Sequence, residues 1–462
     1  MAQFFAVWTS RLDYPLVDDW RYYSGRSRMP AELSLTWLFA SAHDTLHLTG
    51  KFLDWLTFRW FGHDYRLLAV TSFFVWFGGW AIASVTLALR FTRDQAVVRF
   101  AALLAFVLPF AAAPYWVTVS PLQQLEPGIA YHQMLPVLGV CLLSWLAVVE
   151  GRNLARCVLA TLVTLIFSLA YSSGAVGLFL FGSSVAILAA IGRLPGASGR
   201  LVELGAVVSL TAAACLILHV TLTIDAFGIN PLVETRAKRL AVSPPWQRDF
   251  WLFFLGLLDR AVFSLSTGIA GGLRGMAVAA AILVPGGLLG ARLVRRRGSV
   301  SDPAIDVVLV GLFAFALGYA VLVSYGRASF GNFYFIPFEV PTGPEARASL
   351  YAHSRFFYWW ITASLPFVVI AWGRVFAARS RGWARVAALV LGVLLLGTGL
   401  ANWESWQYRA RYRADAERVL QLIDDHRRRW PASPEHYQWA RRLEATFLDQ
   451  WAFEPRPPAV RD

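Results

Sequence analysis

The chain has 462 residues, 57% of them hydrophobic and 15% charged, with a mean hydropathy of +0.51; soluble domains carry about 25% charged residues, so an ordinary soluble fold is excluded. The formal charge of +13 does not point to nucleic acid, because the arginines stand in short clusters between apolar runs, as at Arg295, Arg296 and Arg297, where they act as topology signals. Cys141, Cys157 and Cys215 all lie inside apolar runs, which excludes a disulfide framework and a loop zinc site built on cysteine.

In chain order, Met1 to Trp8 is too short for a signal-peptide core and is read as the tail of a first span lost to a late start. Residues 1–66 form an extracytoplasmic and interfacial first segment. Within it, Leu33, Leu35, Trp37, Leu38 and Phe39, then Phe52, Trp55, Leu56, Phe58 and Trp60, predict amphipathic helices with aromatic anchors. Adjacent Asp18 and Asp19, followed by Trp20, suit glycosyl transfer: one carboxylate takes the acceptor hydroxyl proton, the other positions the acceptor or holds a divalent cation. The bland reading is a helix N-cap beside an interface tryptophan. His43, Asp44 and His47 form an H-D-x-x-H cluster. On a helix, the two histidines would share a face able to bind a metal or a phosphate, or would simply be polar residues on its wet side.

The transmembrane domain, residues 67–401, is predicted to hold ten spans at 67–89, 100–119, 128–149, 156–172, 174–192, 201–223, 269–293, 305–324, 355–376 and 384–401. Between the second and third, Gln123, Gln124, Glu126 and His132 either line a cavity or cap helix ends, and Glu126 is a candidate metal or substrate contact. Tyr171, Ser172, Ser173 and Gly174 form a short hairpin whose small residues allow close packing. The apolar stretch 250–267 is interrupted by Asp259 and Arg260, which pair with each other or face a polar cavity, so it is read as re-entrant or interfacial. The loop from Gly326 to Arg355 holds Arg327, Glu339, Glu345, Arg347, His353 and Arg355. Arg355 either snorkels to headgroups or clamps the phosphate of a lipid-linked donor, helped by Arg327; His353 joins the candidate metal or substrate contacts. Residues 402–462 predict two small helices broken at Pro431, then a proline-rich end. No repeat of 20 to 50 residues is visible.

With ten spans, the clusters at Arg90–Arg99, Arg152–Arg156, Arg193–Arg200, Arg292–Arg297 and Arg374–Arg385 all fall on one side, which the positive-inside rule makes cytoplasmic. Residues 1–66, the loops near 120–128, 224–268 and 325–354, and the tail then face outward.

Three short features carry a family resemblance: Asp18-Asp19-Trp20, the stretch F-R-W-F-G-H-D-Y-R-L-L after the His/acidic cluster, and S-R-F-F-Y before a late span. On them, residues 14 to about 375 resemble GT-C superfamily glycosyltransferases, which include protein O-mannosyltransferases and aminoarabinose transferases. The resemblance implies an all-α polytopic membrane protein, a GT-C-like bundle with interfacial helices outside and a small C-terminal helical tail. It also implies a polyprenyl-phosphate-linked sugar as donor, an envelope glycan, lipid or protein as acceptor, inversion at the anomeric carbon, and a multi-pass inner-membrane enzyme active at the periplasmic face. Asp18 or Asp19 would match the acidic catalytic position and Arg355 the late arginine on the donor phosphate. The sequence departs from the denser H-N-E-H-type cluster of related chains at His43-Asp44-Thr45-Leu46-His47. Two other readings stand beside this one: a lipid-linked glycan polymerase or ligase, and a lipid or solute transporter or flippase, which would show paired repeats and broken helices.

Overall fold

The computed structural model describes residues 30, 32–41, 46–61, 78–106, 135–192, 198–228, 230, 232–235, 240–262, 271–295, 302–328, 359–377 and 380–401. The expected helices of the 402–462 tail lie outside these residues. Two short helices come first, α1 (Leu35–Phe39) and α2 (Leu48–Phe61). The bundle follows as α3 (Gly79–Phe91), α4 (Ala96–Ala105), α5 (Leu135–Val148), α6 (Asn153–Ser168), α7 (Ser172–Gly192) and α8 (Ser198–Phe227). A two-stranded antiparallel hairpin, β1 (Glu234–Thr235) and β2 (Leu240–Ala241), precedes α9 (Arg248–Val262), α10 (Gly271–Arg295), α11 (Pro303–Arg327), α12 (Trp359–Ala377) and α13 (Arg381–Ala401). Among the described residues, the expectation of an all-α chain thus holds apart from this hairpin.

Five stretches are long and apolar enough to cross a membrane: Ser172–Gly192, Ser198–Phe227, Leu273–Arg295, Pro303–Gly326 and Trp360–Ala377. The protein is a polytopic helical membrane protein. Four shorter apolar helices, α3 to α6, pack with these five in one core. Their outward faces carry exposed Ile82, Leu154, Leu210, Ile217 and Leu283, as expected where lipid replaces water. Helix contacts in lipid depend on close approach and polar glue rather than on the hydrophobic effect. At the α7–α8 crossing, a Cβ on Gly205 would stand 2.6 Å from the Ala186 nitrogen, and one on Gly182 would stand 2.7 Å from the Gly205 oxygen. The Ser183 and Ser209 hydroxyls meet across the same crossing at 3.1 Å. Deeper in, Trp360 of α12 stacks on Phe315 and Tyr319 of α11 at 4.2 and 3.9 Å.

Pairings between helix termini give the bundle two distinct ends. At one end, Asn153 of α6 donates to Glu203 of α8, Arg374 of α12 pairs with Asp306 of α11, and the Arg292 guanidinium of α10 donates to the Arg374 carbonyl at 3.2 Å. This end receives the described residues of all five arginine clusters. At the other end, Trp80 of α3 meets Phe106 after α4, Gly174 of α7 packs on Pro136 of α5, and His219 of α8 donates to Ser168 of α6. The charge asymmetry read along the sequence is therefore also a spatial one.

The segment expected at 250–267 is helical from Arg248 to Val262. Its bonded partners sit where α10, α11 and α12 approach the second end. Asp259 accepts a fork from Arg274 near the start of α10, at 2.7 and 3.0 Å, and the Ala261 carbonyl accepts from Thr362 at the start of α12 at 2.8 Å. Just before α9, the Ser243 amide donates to the Tyr325 carbonyl of α11 at 2.8 Å. Asp259 finds an ion partner on the next helix, since Arg274 across the α9–α10 contact presents two donors to its two carboxylate oxygens; the Arg260 side chain lies outside the described residues.

Candidate active site at the end opposite the arginine clusters

The first segment is mounted on the second end by a set of buried polar contacts. Ser34 caps α1 by accepting from the Trp37 amide at 3.4 Å. A helix of five residues leaves nearly all its carbonyls without intrahelical partners, and Lys51 of α2 supplies what is missing. Its ammonium donates to the Trp37 and Ala40 carbonyls at 2.8 and 2.6 Å, and stands 5.3 Å from the Trp37 ring centre. Lys51 is only 1% exposed, so this charge has exchanged water for carbonyl oxygens and an aromatic face. Asp54, three residues further along α2, is also fully buried.

Further contacts seat this segment on α6, α7 and α8. The Leu46 amide donates to Nδ1 of His219 at 3.1 Å, and Nε2 of His219 donates to the Ser168 carbonyl at 2.8 Å. One bond requires Nδ1 to be bare and the other requires a proton on Nε2, so the imidazole is neutral and in a single tautomer. Thr49 donates to the Ile166 carbonyl, and Ser41 meets Thr223 at 3.4 Å. Leu48 packs against a small cluster of Leu169, Ala175 and Cys215.

His47 immediately precedes α2, is fully buried, and lies 5.1 Å from the Tyr171 ring. That corrects two expectations. His47 is not on the helix that would align it with His43, and it does not face water. Burial under Tyr171 comes from docking of the whole segment, a tertiary event that helical spacing does not encode. Among the described residues, no group of three or more His, Cys, Asp or Glu side chains could hold a metal.

Of the other candidates, Asp18, Asp19, His43, Asp44, Glu126, His353 and Arg355 lie outside the described residues. Arg327 is the last residue of α11, at the second end. The described residues on either side of these stretches share one location. The chain reaches α1 and α2 at that end, leaves α4 at Phe106 and returns at Leu135 there, and leaves α11 at Arg327 and returns at Trp359 there. Every stretch holding a candidate residue thus begins or closes on the second end.

Sequence reasoning overlooked Lys51, Asp54 and His219 here, and Asp306 with its two arginines at the other end. His219 had a readable signal, since an ionisable residue deep in an apolar run is a functional or structural landmark by default. No family model matches the chain, and neither the curated proteins nor the solved structures provide a match.

Proposed function

We propose that the chain is a GT-C type glycosyltransferase of the inner membrane, with ten spans, acting on a polyprenyl-phosphate-linked sugar at the periplasmic face. The observation that supports this reading is that the described residues nearest those segments, α1 and α2 after Asp18 and Asp19, Phe106 and Leu135 on either side of Glu126, and Arg327 and Trp359 on either side of Arg355, lie at the second end, opposite the arginine clusters. In this reading, Asp18 or Asp19 takes the proton of the acceptor hydroxyl. The hydroxyl oxygen attacks the anomeric carbon, the bond from that carbon to the phosphate oxygen breaks, and polyprenyl phosphate leaves with the bonding pair. Arg355, helped by Arg327, holds the departing phosphate, which gains negative charge as the bond breaks. The chemistry needs no more than one base and one phosphate clamp held about 3–3.5 Å either side of a reacting centre. A divalent cation on the carboxylates, with His43, Asp44, His47, His353 or Glu126 as contacts, is compatible but not required.

Continuity of the helices favours this reading over a transporter. Pro285 lies inside α10 and Pro366 inside α12, and both helices run on through them, whereas transporter sites are built from helices broken near the bilayer midplane. Two experiments test the proposal. Asp18→Cys or Asp19→Cys should cross-link to Arg355→Cys through a reagent spanning a sugar phosphate; absence of any cross-link defeats the shared site. Introduced cysteines at Ser27, Ser329 and Ser433 should label from outside intact inner membrane, and labelling only from the cytoplasm defeats the topology.

A further inference from the structure

Helix α2 is amphipathic in the reverse sense to a helix lying between protein and water. Lys51, Asp54 and Thr57 follow one another at the spacing of neighbours on a helix face, and all three are buried. On the opposite face Phe52, Leu56 and Trp60 recur every four residues; Phe52 is 39% and Trp60 69% exposed, and Leu56 is half-buried. The neighbouring α1 and its approach also turn apolar side chains outward, with Leu35 72% exposed and Leu33 and Phe39 exposed as well. Against water this arrangement has the wrong sign, because it hides the groups that water solvates and displays those that water rejects. Against a bilayer it has the right sign, since polar groups must find protein partners there and apolar ones can meet lipid.

The depth of the segment follows from its bonds to α6 and α8. Asn153 and Glu203 pair at the first end and give these two helices a common level. From there Ser168 lies about 22 Å along α6 and His219 about 24 Å along α8, at 1.5 Å per residue. The two residues bond to each other, so the two measures agree. On this scale Ser41, at Thr223, stands about 30 Å from the first-end level, the Leu46 amide, at His219, about 24 Å, and Thr49, at the Ile166 carbonyl, about 20 Å. The hydrocarbon core is about 30 Å thick, and tilt of the helices lowers every one of these levels. With the first-end level at one headgroup layer, Ser41 reaches the other, and α2 starts about 10 Å beneath it. Thr49 meets α6 there beside the exposed Leu162, Leu165 and Ile166, on the surface of the bundle that faces lipid.

We propose that α1 and α2 are set into the leaflet opposite the arginine clusters rather than laid upon it, and that Leu35, Phe52, Leu56 and Trp60 contact the acyl chains of that leaflet. The buried stripe is what permits this. The Lys51 ammonium is already bonded to the Trp37 and Ala40 carbonyls, and a charge that finds its partners in protein can stand at hydrocarbon depth. Arg59, exposed beside Trp60 in the last turn of α2, reaches the headgroups by the length of its own side chain, with Trp60 as the aromatic anchor at that level. A water-soluble partner is a poor occupant for a face that begins beneath the headgroups. The inference rests on the membrane reading alone and stands whether or not the chain transfers sugars.

The test uses the unsubstituted full chain in nanodiscs that contain a phospholipid with a photoactivated carbene precursor midway along its acyl chain. Tags mapped by mass spectrometry should fall on Phe52 and Leu56 as heavily as on Leu162, the exposed hydrocarbon reference on α6. Hydroxyl radicals generated in the water should leave Phe52 and Leu56 unmodified. Radical modification of these two residues without lipid tags would place the face in water and overturn the proposal. A spin label at Phe52→Cys, with Cys157→Ser because Cys141 and Cys215 are buried, separates lipid from a second copy of the chain. The proposal expects accessibility of this label to oxygen to exceed that to a nickel chelate several-fold, without spin coupling between chains. Dominant nickel accessibility would contradict the embedded seat. Coupling between the labels of two chains, with oxygen excluded, would assign the face to a second copy and overturn it as well.

Discussion

The two ends of the bundle bury charge for different purposes. At the arginine-rich end, Asp306 of α11 sits between Arg292 of α10 and Arg374 of α12, and leftover donors go to backbone. Arg374 reaches the Asp302 carbonyl at 3.0 Å, Arg156 the Val149 carbonyl at 2.7 Å, and Arg99 the Thr92 carbonyl at 3.0 Å. These cations satisfy carbonyls at helix termini and connections, and a positive charge at a helix C-terminus also complements the dipole. The charges tie spans to spans. At the other end, Lys51 joins α2 to α1 through the Trp37 and Ala40 carbonyls, and the neutral His219 joins the Leu46 approach to α6 and α8, so buried polar groups there hold a non-spanning segment together and tie it to the spans. One end is a lock, the other a mount for the stretches proposed to carry the chemistry.

If that contrast is right, removing the lock should damage everything and removing the mount should damage one segment. Asp306→Asn leaves two guanidiniums without their counter-charge; breaking a buried ion pair in this way costs about 3–5 kcal/mol. We predict a large fall in the unfolding temperature of the whole protein in nanodiscs. Replacing all three partners together, Asp306→Leu with Arg292→Met and Arg374→Met, should recover most of it, since apolar replacement of a whole buried cluster is often neutral. A mild Asp306→Asn phenotype would mean the cluster is not the lock.

The next largest effect is expected from Lys51→Met. It removes charge-assisted bonds to two carbonyls, each worth roughly 1.5–3 kcal/mol, but only where α1 meets α2. Limited proteolysis and hydrogen exchange should accelerate over residues 32–61 while the global transition barely moves. A cooperative loss of the whole fold would erase the distinction between the two ends.

How much of this was legible follows from what a single chain can encode. The apolar runs were legible because a bilayer demands length and hydropathy locally: each of the ten expected runs overlaps one of the helices α3 to α8 or α10 to α13, and five of these helices hold a stretch long and apolar enough to cross a membrane. The gathering of the arginine clusters at one end was legible because they recur at alternate connections between the apolar runs. The lock was not, since Asp306 and Arg374 are 68 residues apart and each reads alone as a charge at a span end. The apolar pattern of residues 33–60 announced helices, and α1 and α2 lie there, but an apolar stripe says nothing about whether its polar residues meet water or protein; His47, Lys51 and Asp54 are buried in protein. The candidate chemistry came from short motifs, most of which fall on residues that these helices flank rather than contain.

A smaller effect is expected from His219→Phe, which fills the space but leaves the Leu46 amide and the Ser168 carbonyl unpaired. Neutral hydrogen bonds contribute about 1 kcal/mol each, so protection should fall around Leu46 and Ser168 without a change elsewhere. Combined with Lys51→Met, the two losses should add, because they act on different stretches of the same mount. Strong non-additivity would show that Lys51 and His219 belong to one network.

The most direct measurement of the central claim is transfer of a radiolabelled sugar from polyprenyl phosphate to a membrane acceptor by the purified full chain. Parent protein should be compared with Asp18→Asn, Asp19→Asn, their double variant, Arg355→Ala and Arg355→Lys. We predict that at least one aspartate variant loses roughly 100-fold or more in turnover, the share typical of a general base. Arg355→Ala should weaken donor binding and turnover together, and Arg355→Lys should restore only part, since a point charge replaces a planar fork. Full transfer activity in the Asp18→Asn, Asp19→Asn double variant would contradict the account.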